Sequence, residues 1–267
     1  MRHWIRILFT IAAPLLLAGC LWGPGKFNSQ LSVKKDGSFV LDYRGEIVLQ
    51  MPPDAQASRP WSDDMASCST ATEGEATRTG CTKAQIAEQR AAYDKNMADK
   101  RKESTEMAKA FGLPGLDDAS NRAFAAKLSK YAGWRSVSYR GQGVFDVDYH
   151  LAGRTTQDFL FPALPDNDLI IPFIAIRRRA DGSVLVTAPA FTGGAGPLGV
   201  RSGAAASKQL TDGPASKAEG RFTIVTDGEI LTNNSEDGPA ATAGGRELHW
   251  DVTVSTNKIP ETLIRLN

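Results

Sequence analysis

Apolar and polar residues alternate through much of the chain, and the period of two predicts strands. Leu31 and Val33 alternate with polar neighbours, and Asp36-Gly37 follows as a hairpin turn. The return strand is long: Phe39, Leu41, Tyr43, Ile47, Leu49 and Met51 share one face. Gly45 falls on that face and marks a bulge. Pro52-Pro53 ends the strand. Residues 54–80 are rich in Ser, Thr, Ala, Asp and Glu and read as an excursion loop.

The period then changes. Residues 83–111 hold no Pro and no Gly until Gly112, and Ala, Lys, Glu, Gln and Arg dominate, which predicts a helix. Its apolar stripe is thin: Ile86, Tyr93, Met97, Ala108 and Phe111. Such a helix lies on a sheet or projects from it. A second helix is capped by Asp117 or Asp118, carries Phe124, Leu128 and Tyr131 at i, i+4 and i+7, and stops at Gly133.

Strand patterning returns at Trp134. Val137 and Tyr139 lead to the turn Gly141-Gln142-Gly143, and Phe145, Val147, Tyr149 and Leu151 lead away from it. Phe159 and Phe161 follow. Residues 169–179 and 183–188 flank Asp181-Gly182 as a further hairpin. Residues 192–219 are rich in Gly, Ala and Ser and read as a flexible insertion. Phe222, Ile224, the turn Asp227-Gly228 and Ile230 read as one more hairpin, Leu248, Trp250, Val252 and Val254 as the next strand, and Leu263 with Ile264 closes the sheet. The fold class expected is α+β: an antiparallel β-sheet of several hairpins with two helices packed on or beside it.

The first twenty residues follow another logic. Arg2 and Arg6 are positive, residues 5–17 are apolar with Pro14 inside, and Leu17-Ala18-Gly19-Cys20 closes the run. This is the order of an export signal, too short to span about 30 Å of hydrocarbon. Leucine three before a cysteine, with two small residues between, resembles the lipobox of bacterial lipoproteins. The resemblance implies cleavage before Cys20, leaving residues 1–19 as signal and residues 20–267 as one mature domain. It also implies a diacylglyceryl thioether on Cys20 and acylation of its new amino group. At about 0.8 kcal/mol per buried methylene, two or three acyl chains anchor a protein stably to a membrane. Gly23-Pro24-Gly25 reads as a short tether between anchor and body. No aspartate follows the cysteine, and for a two-membrane bacterium the resemblance to lipoproteins then implies the outer membrane, facing the periplasm.

The formal net charge of +1 gives no support for a nucleic-acid binder. Besides Cys20 there are only Cys68 and Cys81. An even pair in an exported domain reads as a disulfide, and the alternative is two free thiols in a flexible loop. No histidine stands near them, so a zinc site is not supported.

Chemistry is sparse. Gly194-Ala195-Gly196-Pro197-Leu198-Gly199 fits G-x-G-x-x-G, but the residues after it form no apolar helix face, as a dinucleotide site requires. Neither H-E-x-x-H nor G-x-S-x-G occurs. His150 and His249 sit in strand patterns. No catalytic, metal-binding or cofactor residues are assigned. Arg177-Arg178-Arg179 reads as a charged strand end before a phosphate contact, and Lys100-Arg101-Lys102 as a solvated helix face before a headgroup contact. Trp134, Phe159 and Phe161 are candidates to line an apolar groove, with core packing as their commoner fate.

The two ends of the mature chain carry a resemblance. After Cys20 come Gly23-Pro24-Gly25-Lys26-Phe27, a short strand, Lys35-Asp36-Gly37-Ser38 and a long strand with Tyr43. Near the C-terminus come Gly220-Arg221-Phe222, Asp227-Gly228-Glu229-Ile230, Asn233-Asn234 and Leu248-His249-Trp250-Asp251. This order resembles the LppM-type domain of bacterial lipoproteins. The resemblance implies an α+β domain related in shape to lipid-binding folds, with no catalytic residues. The function expected is a non-enzymatic envelope lipoprotein that binds a lipid, another amphiphile or an envelope partner. A structural or assembly factor acting through protein contacts is the alternative, and a periplasmic hydrolase comes third.

Overall fold

The structure, a computed structural model, describes residues 22–49, 60–72, 75–110, 115, 117–164, 172–192 and 218–266. The expectations for the signal and Cys20, for Met51 to Pro53, for Phe111 and Gly112, and for most of 192–219 with its glycine motif lie outside them.

The first two strands are β1 (Trp22–Val33) and β2 (Ser38–Leu49). A hairpin β3 (Cys68–Thr72) and β4 (Glu75–Thr79) precedes helices α1 (Lys83–Ala110) and α2 (Asp118–Leu128). Then come β5 (Trp134–Gly141), β6 (Val144–Arg154), β7 (Phe159–Phe161), β8 (Ile174–Arg178) and β9 (Val184–Thr187). The chain ends with β10 (Glu219–Thr226), β11 (Glu229–Asn233), β12 (Ala240–Thr242), β13 (Gly245–Val252) and β14 (Glu261–Arg265).

Twelve strands form two sheets. The larger has the order β12-β13-β10-β1-β2-β6-β5, and the smaller β11-β14-β9-β8-β7. All pairings are antiparallel except that of β1 with β10. The α+β, sheet-dominated class is therefore as expected.

The period-two face of β2 is buried throughout: Phe39, Leu41, Tyr43, Ile47 and Leu49. Its neighbours supply Phe27, Leu31 and Val33 from β1, Phe145, Val147 and Tyr149 from β6, and Phe222 and Ile224 from β10. The small sheet covers much of this face through aromatic contacts. Phe161 meets Tyr149 at 4.6 Å and Tyr43 at 5.0 Å between ring centroids, Phe159 meets Phe39 at 5.0 Å, and Phe191 stacks on Phe27 at 4.2 Å. The opposite face of the large sheet is polar and carries cross-strand ion pairs, among them Arg44 with Asp148 at 3.5 Å and Arg221 with Asp251 at 2.6 Å. One wet face and one packed face is the expected condition of an antiparallel sheet.

A bulge lies where Gly45 marks it. Register shifts on β1 between Pro24 and Phe27, opposite Gly45 and Ile47. Gly45 has φ 152°, and a Cβ there would come within 2.5 Å of the Phe27 Cα. Glu46 closes the bulge by accepting from the Lys26 N–H at 3.0 Å, and its carbonyl accepts from the buried Tyr43 hydroxyl at 2.7 Å. Burial raises the Tyr43 hydroxyl well above the usual tyrosine range.

Three expectations need correction. Gly23-Pro24-Gly25 is not a tether: all three residues are buried within β1, because the strand begins at Trp22 and pairs with β2 from there. β10 and β11 do not form a hairpin. At Asp227-Gly228 the chain crosses from the large sheet to the small one, and the Asp227 carboxylate is engaged by the Lys35 N–H at 2.7 Å. Within residues 54–80, the part from Cys68 to Thr79 is a paired hairpin.

The hairpins at Asp36-Gly37 and Asp181-Gly182 share one device. In each, the aspartate accepts from the N–H of the serine two residues on at 2.9 Å and from its hydroxyl at 2.6 Å. The serine hydroxyl, then its N–H, holds each carboxyl below the usual range, and Ser120 does the same for the helix-capping Asp117. A folded-state pKa below the unfolded one stabilises fully above the unfolded value and is lost as pH falls through the folded one. The thermal midpoint is expected to stay level from about pH 7 to about pH 5 and to fall steeply below about pH 4. Asp36→Asn with Asp181→Asn flattens part of that fall in a pH series followed by circular dichroism.

Candidate functional site at the start of the central sheet

The residue that sequence marks for chemistry, Cys20, lies two positions before the first strand. Trp22 opens β1 opposite Leu49 on β2. Its indole packs on Phe124 of α2 at 5.7 Å and on Phe145 of β6 at 5.6 Å, and these two rings meet edge-on at 6.0 Å. The helix is placed there by its apolar spacing, which buries Phe124, Ala125 and Leu128 against β5. Its first turn is fixed by Asp117, which accepts from the Ser120 N–H at 2.9 Å.

Tyr139 links this helix to the β5–β6 turn. Its hydroxyl donates to Asp118 at 2.8 Å and accepts from the Gly143 N–H at 3.2 Å. Burial, with help from the Asp118 carboxylate, raises its pKa. The Gly143 carbonyl in turn accepts from the Leu49 N–H at 2.8 Å. The start of β1, the end of β2, the β5–β6 turn and the first turn of α2 therefore form one continuous end of the molecule. The indole Nε1 of Trp22 is buried there without an acceptor among the described residues. The one sequence signal for Trp22 is its place two positions after Cys20.

Of the three candidate groove aromatics, Trp134 and Phe161 are buried in the core and Phe159 is half-buried against it, on Phe39. Trp134 meets Tyr149 at 5.3 Å and Phe161 at 6.2 Å, and Phe161 also meets Phe173 at 6.0 Å. The rings pack on one another because they project from facing strands of the two sheets.

Cys68 and Cys81 are joined by a disulfide with a Cα–Cα distance of 5.3 Å, inside the usual range. The bridge ties the base of the β3–β4 hairpin to Cys81, two residues before α1. Thr82 and Gln85 form a capping box at the helix start, with the Thr82 N–H donating to the Gln85 side chain at 2.9 Å. Gln89 then reaches back to Ser67, accepting from its N–H and donating to its carbonyl, each at 3.1 Å. Trp61 packs on Tyr93 at 5.5 Å. Hairpin and helix thus hold each other, while most residues of α1 over 83–100 are exposed.

The two histidines are separate. His150 Nδ1 lies 2.7 Å from Asp42 on the polar face of the large sheet, and His249 Nε2 lies 3.1 Å from Asp237. Arg177 and Arg178 run past the end of the short β7, exposed, with Arg177 3.9 Å from Asp158. Among the described residues no group of three or more His, Cys, Asp or Glu is gathered for a metal, and no helix is long and apolar enough to cross a membrane.

No family model matches the chain. No curated protein matches it either. Among solved structures, it is similar to the NMR structure of the folded domain of LppM from Mycobacterium tuberculosis, at 9% identity and a TM-score of 0.23, over 92% of this chain and 91% of that one. That is a weak likeness of fold.

Proposed function

We propose that this protein is a non-enzymatic lipoprotein of the cell envelope, held to a membrane by acyl chains on Cys20 and working by binding. The observation that carries the reading is Leu17-Ala18-Gly19-Cys20 at the end of an export-type apolar run, two residues ahead of a folded strand. The anchor then supplies localisation, and the folded body supplies recognition. Two or three acyl chains are enough for stable attachment.

Of the two binding readings, a protein partner is favoured over an amphiphile. Trp134, Phe159 and Phe161 spend their apolar surface on other rings of the core. The α1 arm, by contrast, is 28 residues long, fixed at its start by its capping box and disulfide, and exposed over most of residues 83–100. A polar, exposed, internally braced arm suits a specific protein contact.

Labelling with radioactive palmitate tests the anchor. The native chain is expected to incorporate label and to float with membranes, and Cys20→Ser to lose both. Label retained in Cys20→Ser, or a mature N-terminus elsewhere, overturns the reading. In the same cells, a photo-crosslinker at Glu88 of α1 is expected to trap one defined protein; failure to do so removes the partner assignment.

A further inference from the structure

We infer that the end of the large sheet at which β1 begins is the surface that this protein turns to the bilayer, while the turn at Lys34 to Gly37 points away from it. The inference rests on acylation of Cys20 as proposed above.

The first argument is reach. Only Leu21 lies between Cys20 and Trp22, so the two are at most about 7 Å apart along the chain. Gly23, Pro24 and Gly25 add no slack, since they are buried in β1. A body attached this way cannot stand off from the headgroups or turn freely above them.

The second argument is the chemistry of this end. Tryptophan favours the membrane interface, where its ring is in apolar surroundings and its N–H meets a polar acceptor. Trp22 has the apolar half, on Phe124 and Phe145, while its buried Nε1 has no acceptor among the described residues. The strand directions add a further apolar element. β10 runs parallel to β1 and β13 antiparallel to β10, so β13 ends on the side where β1 starts. The loop that leaves it carries Val254, 59% exposed, and Ile259, 38% exposed. Charges at the α2 side of this end include both signs, Asp117 and Asp118 with Arg122 and Arg140. Contact there does not call for an anionic lipid.

The third argument is the far end. Twelve residues of β1 separate the two ends, about 36 to 40 Å of strand. The turns there are tied to one another: the Lys34 ammonium donates to the Gly244 carbonyl at 3.4 Å, and the Thr155 N–H donates to the Gly37 carbonyl at 2.8 Å. These bonds join the turns in one block, which sets them at one distance from the leaflet.

Fluorescence quenching tests the orientation. With Cys20 acylated and Cys68 bridged to Cys81, an introduced cysteine is the single free thiol. The mature acylated chain, extracted from cells, carries a bimane label at Gln142→Cys, at Val254→Cys or at Lys35→Cys. Each is reconstituted into phosphatidylcholine vesicles with nitroxide-labelled headgroups, and flotation is scored separately. Labels at 142 and 254 are expected to lose about half their emission and the label at 35 less than about a tenth, given the strand length between them. Equal quenching at all three positions, or stronger quenching at 35, in protein that floats overturns the orientation and leaves the anchor standing. Protein that does not float overturns the anchor and, with it, the orientation.

Discussion

Phe161→Ala is expected to lower the free energy of unfolding by about 4 kcal/mol, read from the shift in guanidinium midpoint at constant slope. Phe161 is fully buried and stands where the two sheets meet. Its ring touches Tyr43 and Tyr149 of the large sheet, Trp134 at that sheet's edge and Phe173 ahead of β8. Truncation removes transfer free energy and leaves a hole lined by four rings. Three of those rings, Tyr43, Tyr149 and Trp134, project from paired strands of the large sheet, so the site cannot collapse by moving one loop, and the cavity contribution stays large. The adjacent Leu160 gives the control. It is on the same strand, has similar bulk and is 42% exposed. Leu160→Ala is expected to change stability by less than about 0.5 kcal/mol. Equal losses for the two variants would show that the sheets do not pack as described.

Gly220→Ala is the second large effect, by a different mechanism. Gly220 pairs with Phe27 in the one parallel ladder of the large sheet. A Cβ at 220 would lie 1.9 Å from the Phe27 carbonyl oxygen and 2.8 Å from its carbon. These are main-chain atoms, so no rotamer change relieves the clash, and β1 and β10 must separate locally. Phe27 has glycine on both sides, Gly45 on β2 and Gly220 on β10. Its ring is stacked between Tyr43 and Phe191, leaving little room for the backbone to shift. A loss of about 3 kcal/mol is expected. Gly80 offers the comparison, since a Cβ there meets nothing within 4 Å. Gly80→Ala is expected to be neutral or to stabilise by about 0.5 kcal/mol through the unfolded chain. Thermal melts of the two variants side by side decide between backbone crowding and a general intolerance of alanine.

Much of the single-strand structure is readable from residue order. The buried face of β2 follows from an unbroken period of two, and the β8–β9 hairpin from Asp181-Gly182. The cap of α2 follows to within one residue, from Asp117 or Asp118 ahead of Phe124 and Leu128, and the structure places it at Asp117. Pairing partners are harder to read. Nothing near Phe27 signals that its other neighbour is Gly220, because that pairing depends on packing of distant strands against one core. The β3–β4 hairpin escapes notice for a local reason: Cys68-Ser69-Thr70-Ala71-Thr72 has no large apolar residue to alternate. It is held from outside, by the disulfide and by Gln89. Gly23-Pro24-Gly25 has the composition of a linker and becomes strand because Trp22 and Phe27 on either side are buried.

The candidate site divides in the same way. The lipobox-like pattern Leu17-Ala18-Gly19-Cys20 is legible because it is linear and independent of the fold. The end of the molecule around Trp22 is not, since Phe124, Phe145, Tyr139 and Gly143 reach it from four places in the sequence.

The parallel ladder between β1 and β10 also sets a timetable. Whether the chain emerges from a ribosome or through a membrane pore, residues 22–33 come out before the other strands of the sheet and can close on β2 at once. Their other edge waits for residues 219–226, the best part of two hundred residues later. Throughout that interval the central strand of the finished protein is an open edge with Phe27, Leu31 and Val33 beside it, a template for wrong pairing. A nascent chain of this design therefore needs rapid delivery of its last fifty residues, or a holding chaperone that covers the edge until they arrive.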